Sequence, residues 1–185
     1  MAGRGRNLEI KALDPDPATT LSAALALGAE DRGTLHQRDT YFHAVHGRLK
    51  LREQPPESAQ LISYSRADAS APRPSLYRIA EVADPSTLAA TPADSLGVRV
   101  LVEKTRQLLL WRNVRMHVDR VEGLGDFVEL EAVASTADGL EAERPRIEHL
   151  TDALGIRDAR LVTTGYAEML EARGTALGPR WRLVV

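Results

Sequence analysis

The 185-residue chain is long enough to bury one sizeable core, and its near-balanced charge (24 Lys and Arg against 26 Asp and Glu) argues against a globally basic nucleic-acid binder. The lack of cysteine excludes disulfides, thiolate zinc sites and cysteine nucleophiles. No apolar run approaches the roughly 20 residues of a membrane span, and the start MAGRGRNLEI has no hydrophobic leader segment, so the expectation is a cytoplasmic protein with no membrane partner.

In chain order, Asn7–Leu13 reads as a short strand. Asp14–Pro15–Asp16–Pro17 breaks it and opens a helix, with Asp16 as N-cap, Pro17 at the first helical position and Gly28 at the stop. Thr34–Val45 and Arg48–Glu53 read as a hairpin about His46–Gly47, closed off by Pro55–Pro56. Gln60–Arg66 and Ser75–Ala83 follow as strands around a polar loop. Asp84–Pro85 repeats the cap-then-proline signal for a short helix ending near Gly97. Val98–Arg112 and Val114–Val121 are long strands about a tight turn at Asn113, and Asp126–Ala134 is a further strand. Asp138–Gly155 is helical, with Pro145 predicting a break or a late start. Thr164–Arg173 is a last helix. Residues 1–173 read as one domain, and 174–185 as a tail with no predicted place.

Eight strands in mostly hairpin order predict a closed antiparallel β-barrel with helices packed outside, wide enough for side chains or one small ligand. Residues two apart on a strand share a face. Glu9 and Lys11 therefore share a face with Asn7, against Leu8 and Ile10. Arg48, Lys50 and Arg52 line up, as do Lys104 and Arg106. Arg115, His117 and Asp119 oppose Val114, Met116 and Val118; Glu129 and Glu131 oppose Val128 and Leu130. One such strand alone reads as half of a solvated sheet. Here the charges come in like-sign blocks, and the helices need an apolar surface to cover. Charged faces turned inward meet both demands, and such a lumen calls for an anionic ligand with a divalent cation. Arg and Lys donate charge-assisted hydrogen bonds to phosphate oxygens, and a carboxylate cluster suits magnesium or manganese.

These residues resemble the CYTH family, which groups class IV adenylate cyclases and thiamine triphosphatases in a triphosphate tunnel. The resemblance rests on Asn7–Leu8–Glu9–Ile10–Lys11, Gln37–Arg38–Asp39–Thr40–Tyr41, Leu49–Lys50–Leu51–Arg52 and Lys104–Thr105–Arg106. At the acidic end it rests on Asp119, Glu122–Gly123–Leu124–Gly125, Phe127, Glu129 and Glu131. It implies that Glu9, Glu129 and Glu131 hold Mg²⁺ or Mn²⁺, with Asp119 nearby. It implies that Lys11, Lys50, Arg52, Arg78, Lys104 and Arg106 grip the phosphates, with Arg66 and Arg115 as further basic candidates. Lys11 and Asp119 are the catalytic candidates. The chain departs from the family at Asn7, where the family has a glutamate, and this removes one negative ligand. Asp39 and Tyr41 are candidates to support the site, and His117 for proton transfer; His43 and His46 read as exposed turn residues.

The resemblance implies a metal-dependent enzyme of the class IV adenylate cyclase type, converting ATP to cyclic AMP and pyrophosphate. Two alternatives stay open. One is a triphosphatase acting on thiamine triphosphate, a nucleotide or inorganic triphosphate; the other is a non-catalytic polyphosphate or nucleotide sensor. The partner expected is a small triphosphate, not nucleic acid, and the exposed barrel walls leave room for a homodimer.

Overall fold

The computed structural model describes residues 3–56, 58–66, 72–134 and 139–174. Eight strands run in chain order: β1 (Gly3–Leu13), β2 (Glu30–Phe42), β3 (Arg48–Gln54), β4 (Ser58–Arg66), β5 (Arg73–Glu81), β6 (Val98–Trp111), β7 (Val114–Val121) and β8 (Gly125–Val133). They close into one antiparallel barrel of order β1-β5-β4-β3-β2-β6-β7-β8. Two connections leave this hairpin order, β1 to β2 and β5 to β6. They carry the helices α1 (Pro17–Ala26) and α2 (Pro85–Leu96), while α3 (Gly139–Ala153) and α4 (Tyr166–Ala172) follow β8.

The local signals work as their chemistry demands. The Asp16 and Asp84 carboxylates accept from the backbone N–H groups of Thr19 and Thr87 at 3.2 and 3.1 Å, satisfying first-turn donors of α1 and α2. Gly47 turns the β2–β3 hairpin at φ +65, where a Cβ would lie 2.7 Å from the Tyr64 carbonyl oxygen, so both backbone conformation and space require glycine. Pro145 does not break its helix: α3 runs unbroken through it. A proline inside a helix costs about 3 kcal/mol, but Ile147 and Leu150 on the following turns are fully buried. Helices in proteins owe most of their stability to such packing rather than to propensity.

The apolar residues form two clusters. The larger lies outside the barrel, where Leu8, Ile10, Val114, Met116, Val128 and Leu130 from β1, β7 and β8 pack with Ala24 of α1 and Ile147 and Leu150 of α3. The other lies at one end, where Val100, Val102, Phe127 and Tyr41 meet Tyr166 and Leu170 of α4. The first frees the inner faces of β1, β7 and β8 to be polar. The second stops one end of the lumen with α4. No helix among the described residues is long and apolar enough to cross a membrane.

Candidate functional site

Between these two clusters lies a lumen of about 340 Å³. Its lining includes Asn7, Glu9 and Lys11 from β1, Lys50 and Arg52 from β3, Lys104 and Arg106 from β6, Arg115 and His117 from β7, and Glu129 and Glu131 from β8. Strand alternation thus brings these residues together. Two buried carboxylates organise the cations. Asp39 of β2 accepts from Arg52 through both oxygens at 2.7 Å, from Lys50 at 2.7 Å and from Lys104 at 3.4 Å. Asp119 of β7 takes Arg106 in a two-bond fork, each at 2.6 Å, and also accepts from the Tyr166 hydroxyl at 2.8 Å. Glu129 faces Arg106 at 3.2 Å, Lys11 at 3.4 Å and His117 Nδ1 at 3.5 Å. Lys11 Nζ also sits 3.4 Å from the centre of the Tyr166 ring.

Burial and charge compete at each group. Burial pushes Asp39 up, but Arg52, Lys104 and Lys50 together overcome it and hold the carboxylate well below its ordinary range. Burial likewise opposes ionisation of Asp119, and the Arg106 fork wins, keeping it low. Burial, with Arg52 second, pulls Lys50 down to about 8. Burial also pulls Lys104 well below the usual lysine range. Burial and then Arg106 lower His117, so its imidazole is neutral at pH 7. At the two lysines burial outweighs the carboxylates, whereas Asp39 holds Arg52, and Asp119 with Glu129 holds Arg106, firmly in the charged form.

Glu9 and Glu131 stand opposite each other on paired β1 and β8, one step from the Lys11–Glu129 pair. Asn7, two residues before Glu9, is 2 % exposed and its Oδ1 has no hydrogen-bond partner. Two carboxylates and an orphaned amide oxygen are the hard donors that magnesium or manganese takes, so these residues fit such an ion. Among the described residues, no three His, Asp or Glu side chains are already gathered as a metal cage. The rest of an ion's shell would come from water and ligand oxygens, as is usual for magnesium.

Both oxygens of Asp119 accept from Arg106 and Tyr166, and the residue is 1 % exposed, so its observed contacts are with the lumen's own side chains. Arg78 does not reach the lumen. Tyr77 and Ile79 of β5 line the cavity, and the residue between them is exposed on the outer wall. The side chain of Arg66 falls outside the described residues, as do residues 175–185 of the tail. Arg115 stands in the lumen, 3.5 Å from Glu131. Strand alternation missed Tyr166, because a helix rather than a strand delivers it. It also gave no notice of Gln37, whose buried Oε1 has no partner while its amide donates to Gln54 at 2.6 Å.

A closed antiparallel barrel with a lumen of paired cations and carboxylates is the architecture of a triphosphate tunnel. The family model of the CYTH domain matches residues 5–166, and the chain belongs to that family. Solved structures agree on the fold. The PH1012 protein of Pyrococcus horikoshii superposes with a TM-score of 0.76 at 23% identity, covering 88% of this chain and 98% of its own. A candidate adenylate cyclase of Vibrio parahaemolyticus gives 0.74 at 16% identity, covering 89% and 97%. The candidate adenylyl cyclase HpAC1 of Hippeastrum, described as having a dominant triphosphatase activity, gives 0.62 at 16% identity, covering 95% and 98%. No curated protein matches the sequence.

Proposed function

We propose that this chain is a divalent-metal-dependent enzyme acting on a triphosphate in the barrel lumen, with the class IV adenylate cyclase reaction as its first reading. One observation carries the proposal. In and directly beneath the lumen, the six cations Lys11, Lys50, Arg52, Lys104, Arg106 and Arg115 meet the five carboxylates Glu9, Asp39, Asp119, Glu129 and Glu131. Buried charges of this number need partners, and a highly anionic triphosphate with a divalent cation supplies both signs. Lys50, Arg52, Lys104 and Arg106 bind phosphate oxygens, Arg115 adds a contact nearer solvent, and Lys11 bridges the phosphate and carboxylate sides. Asp39 and Asp119 are positioning residues that aim the cations. Glu9, Glu129 and Glu131, with the Asn7 amide oxygen, hold Mg²⁺ or Mn²⁺, which when bound draws charge from the phosphate oxygens. In the cyclase reaction the ribose 3′-oxygen bonds to the α-phosphorus, the bond to the bridging oxygen breaks, and pyrophosphate leaves. His117, a neutral imidazole on the lumen wall, takes the hydroxyl proton. A nucleotide substrate sets the place of work in the cytoplasm.

Hydrolysis is the second reading, and the triphosphatase activity described for HpAC1 favours it. Incubating the protein with ATP and Mg²⁺ or Mn²⁺ separates the two. Cyclic AMP with pyrophosphate supports the first reading, and ADP with phosphate the second. Tight ATP binding without turnover would instead mark a sensor. Failure to bind any triphosphate with either metal would end the proposal.

A further inference from the structure

The lumen is not charged all round. The inward residues of β4 and β5 include Ile62, Tyr64, Ser75, Tyr77 and Ile79, none of which carries a formal charge at pH 7. Register places Ile62 beside Ile79 and Tyr64 beside Tyr77 across the two strands, so they form one continuous patch. In the barrel order β5 and β4 stand diametrically across from β6 and β7, which carry Lys104, Arg106, Arg115 and His117. The patch and the cations are therefore two sides of one cavity. The patch is also placed by the site itself: the Tyr64 and Tyr41 hydroxyls are 3.2 Å apart, and Lys50 lies 5.6 Å from the Tyr64 ring centre. Tyr77 is half-buried and Ile62 only 7 % exposed, so the wall is partly dry before any ligand enters.

An inorganic polyphosphate meets no cation on such a wall, only the neutral hydroxyls of Tyr64, Ser75 and Tyr77. Each of its oxygens that faces Ile62, Ile79 or a tyrosine ring would lose water without gaining a cation. A planar heteroaromatic ring has the opposite preference. It stacks on tyrosine, packs on isoleucine, and needs few polar partners. We propose that the β4–β5 wall is a ring-binding subsite. Through it the enzyme selects an organic triphosphate carrying a heteroaromatic ring, a nucleobase or a thiamine-type ring, over inorganic tripolyphosphate. This inference rests on the reading of the lumen as a triphosphate site. Tyr77 is its principal specificity residue: it lines the lumen, whereas Tyr64 is already engaged with the Tyr41 hydroxyl and Lys50.

The test is calorimetric binding of ATP, thiamine triphosphate and inorganic tripolyphosphate to the full chain, in Ca²⁺ to suppress turnover. In the wild type, at least one ring-bearing triphosphate binds about tenfold or more tighter than tripolyphosphate, the scale of one base–aromatic stack. Whichever of the two binds tighter identifies the ring. Tyr77→Ala removes that advantage and leaves tripolyphosphate binding unchanged, and Tyr77→Phe keeps the advantage because the ring is retained. Equal binding of all three ligands by the wild type overturns the subsite, whatever the variants do. So does a Tyr77→Ala protein, folded by its thermal transition, that loses the same factor for every ligand. A wild type that binds none of the three fails differently: it removes the triphosphate site itself.

Discussion

Two walls of the same barrel follow opposite rules. On β1, β7 and β8 the inner face is charged and the outer face is apolar, and α1 and α3 bury that outer face. On β4 and β5 the lumen-lining residues Ile62, Tyr64, Ser75, Tyr77 and Ile79 are neutral, and the outer face presents Ser63, Leu76, Arg78 and Ala80 to solvent, with Leu76 at 53 % exposure. Among the described residues, the main helix-to-strand packings go to β1, β2, β3, β6, β7 and β8 rather than to β4 or β5. The difference has a physical reason. A strand whose inner face is given to ionic groups contributes nothing apolar to the lumen, so its packing must come from the outer face. A strand with Ile62 or Tyr77 inside already buries apolar area and needs no cover.

The largest test of this contrast is Arg106→Met. It strands Asp119, which is 1 % exposed and loses both bonds of its fork. Removing one partner of a buried pair costs about 3–5 kcal/mol, so urea denaturation should show a loss of that size, together with loss of triphosphate binding. The double variant Arg106→Met with Asp119→Leu should recover much of the stability and none of the binding. A single variant as stable as wild type would mean that the pair is solvated. Next in size is one substitution made on both walls. Leu130→Ala, fully buried under α3, should cost about 2–5 kcal/mol. Leu76→Ala should stay within about 0.5 kcal/mol. Equal costs would show that β5 is covered after all.

The charged wall was legible in the sequence because its alternation is written in the strongest contrast available, Lys, Arg or Glu against Leu, Ile or Val. Asp39 was legible as a supporting residue through its motif, although its hold on three cations from β3 and β6 is a property of the closed barrel. The neutral wall was hidden. Ile62, Tyr64, Tyr77 and Ile79 alternate with Leu61, Ser63, Leu76, Arg78 and Ala80, a pattern with apolar residues on both faces and an arginine on the outer one. The resemblance implies an inward Arg78, but the parity of β5 turns Tyr77 and Ile79 inward and Arg78 out. Tyr166 was hidden for another reason: the closure of the lumen by α4 is tertiary, and no strand period announces it.

A smaller effect sharpens the charged side alone. Burial brings Lys50 to about 8, with Arg52 adding to the shift, and an arriving phosphate favours the ammonium form. Binding is then coupled to proton uptake, so tripolyphosphate affinity should hold below pH 8 and fall as pH rises past it, by up to about tenfold per unit. Lys104, lowered in the same direction by burial, adds a loss of the same sign. Calorimetry between pH 7 and 9.5 checks this, with Lys50→Met reducing the slope. An affinity that rises over that range would show that neither lysine faces the phosphates.

The smallest expected effect comes from Arg78→Ala, and it divides the two walls most cleanly. A cation that gripped phosphate through a charge-assisted bond would be worth about 1.5–3 kcal/mol, roughly ten- to a hundredfold in affinity. A solvent-facing arginine is worth almost nothing to a ligand inside the barrel. Arg78 pairs with Ser63 on β4, and both are exposed, while Tyr77 and Ile79 on either side of it line the cavity. Affinity for tripolyphosphate and the thermal midpoint should both match wild type. A tenfold loss would reverse the parity of β5, carry Tyr77 and Ile79 to the outside, and leave a lumen charged on every side.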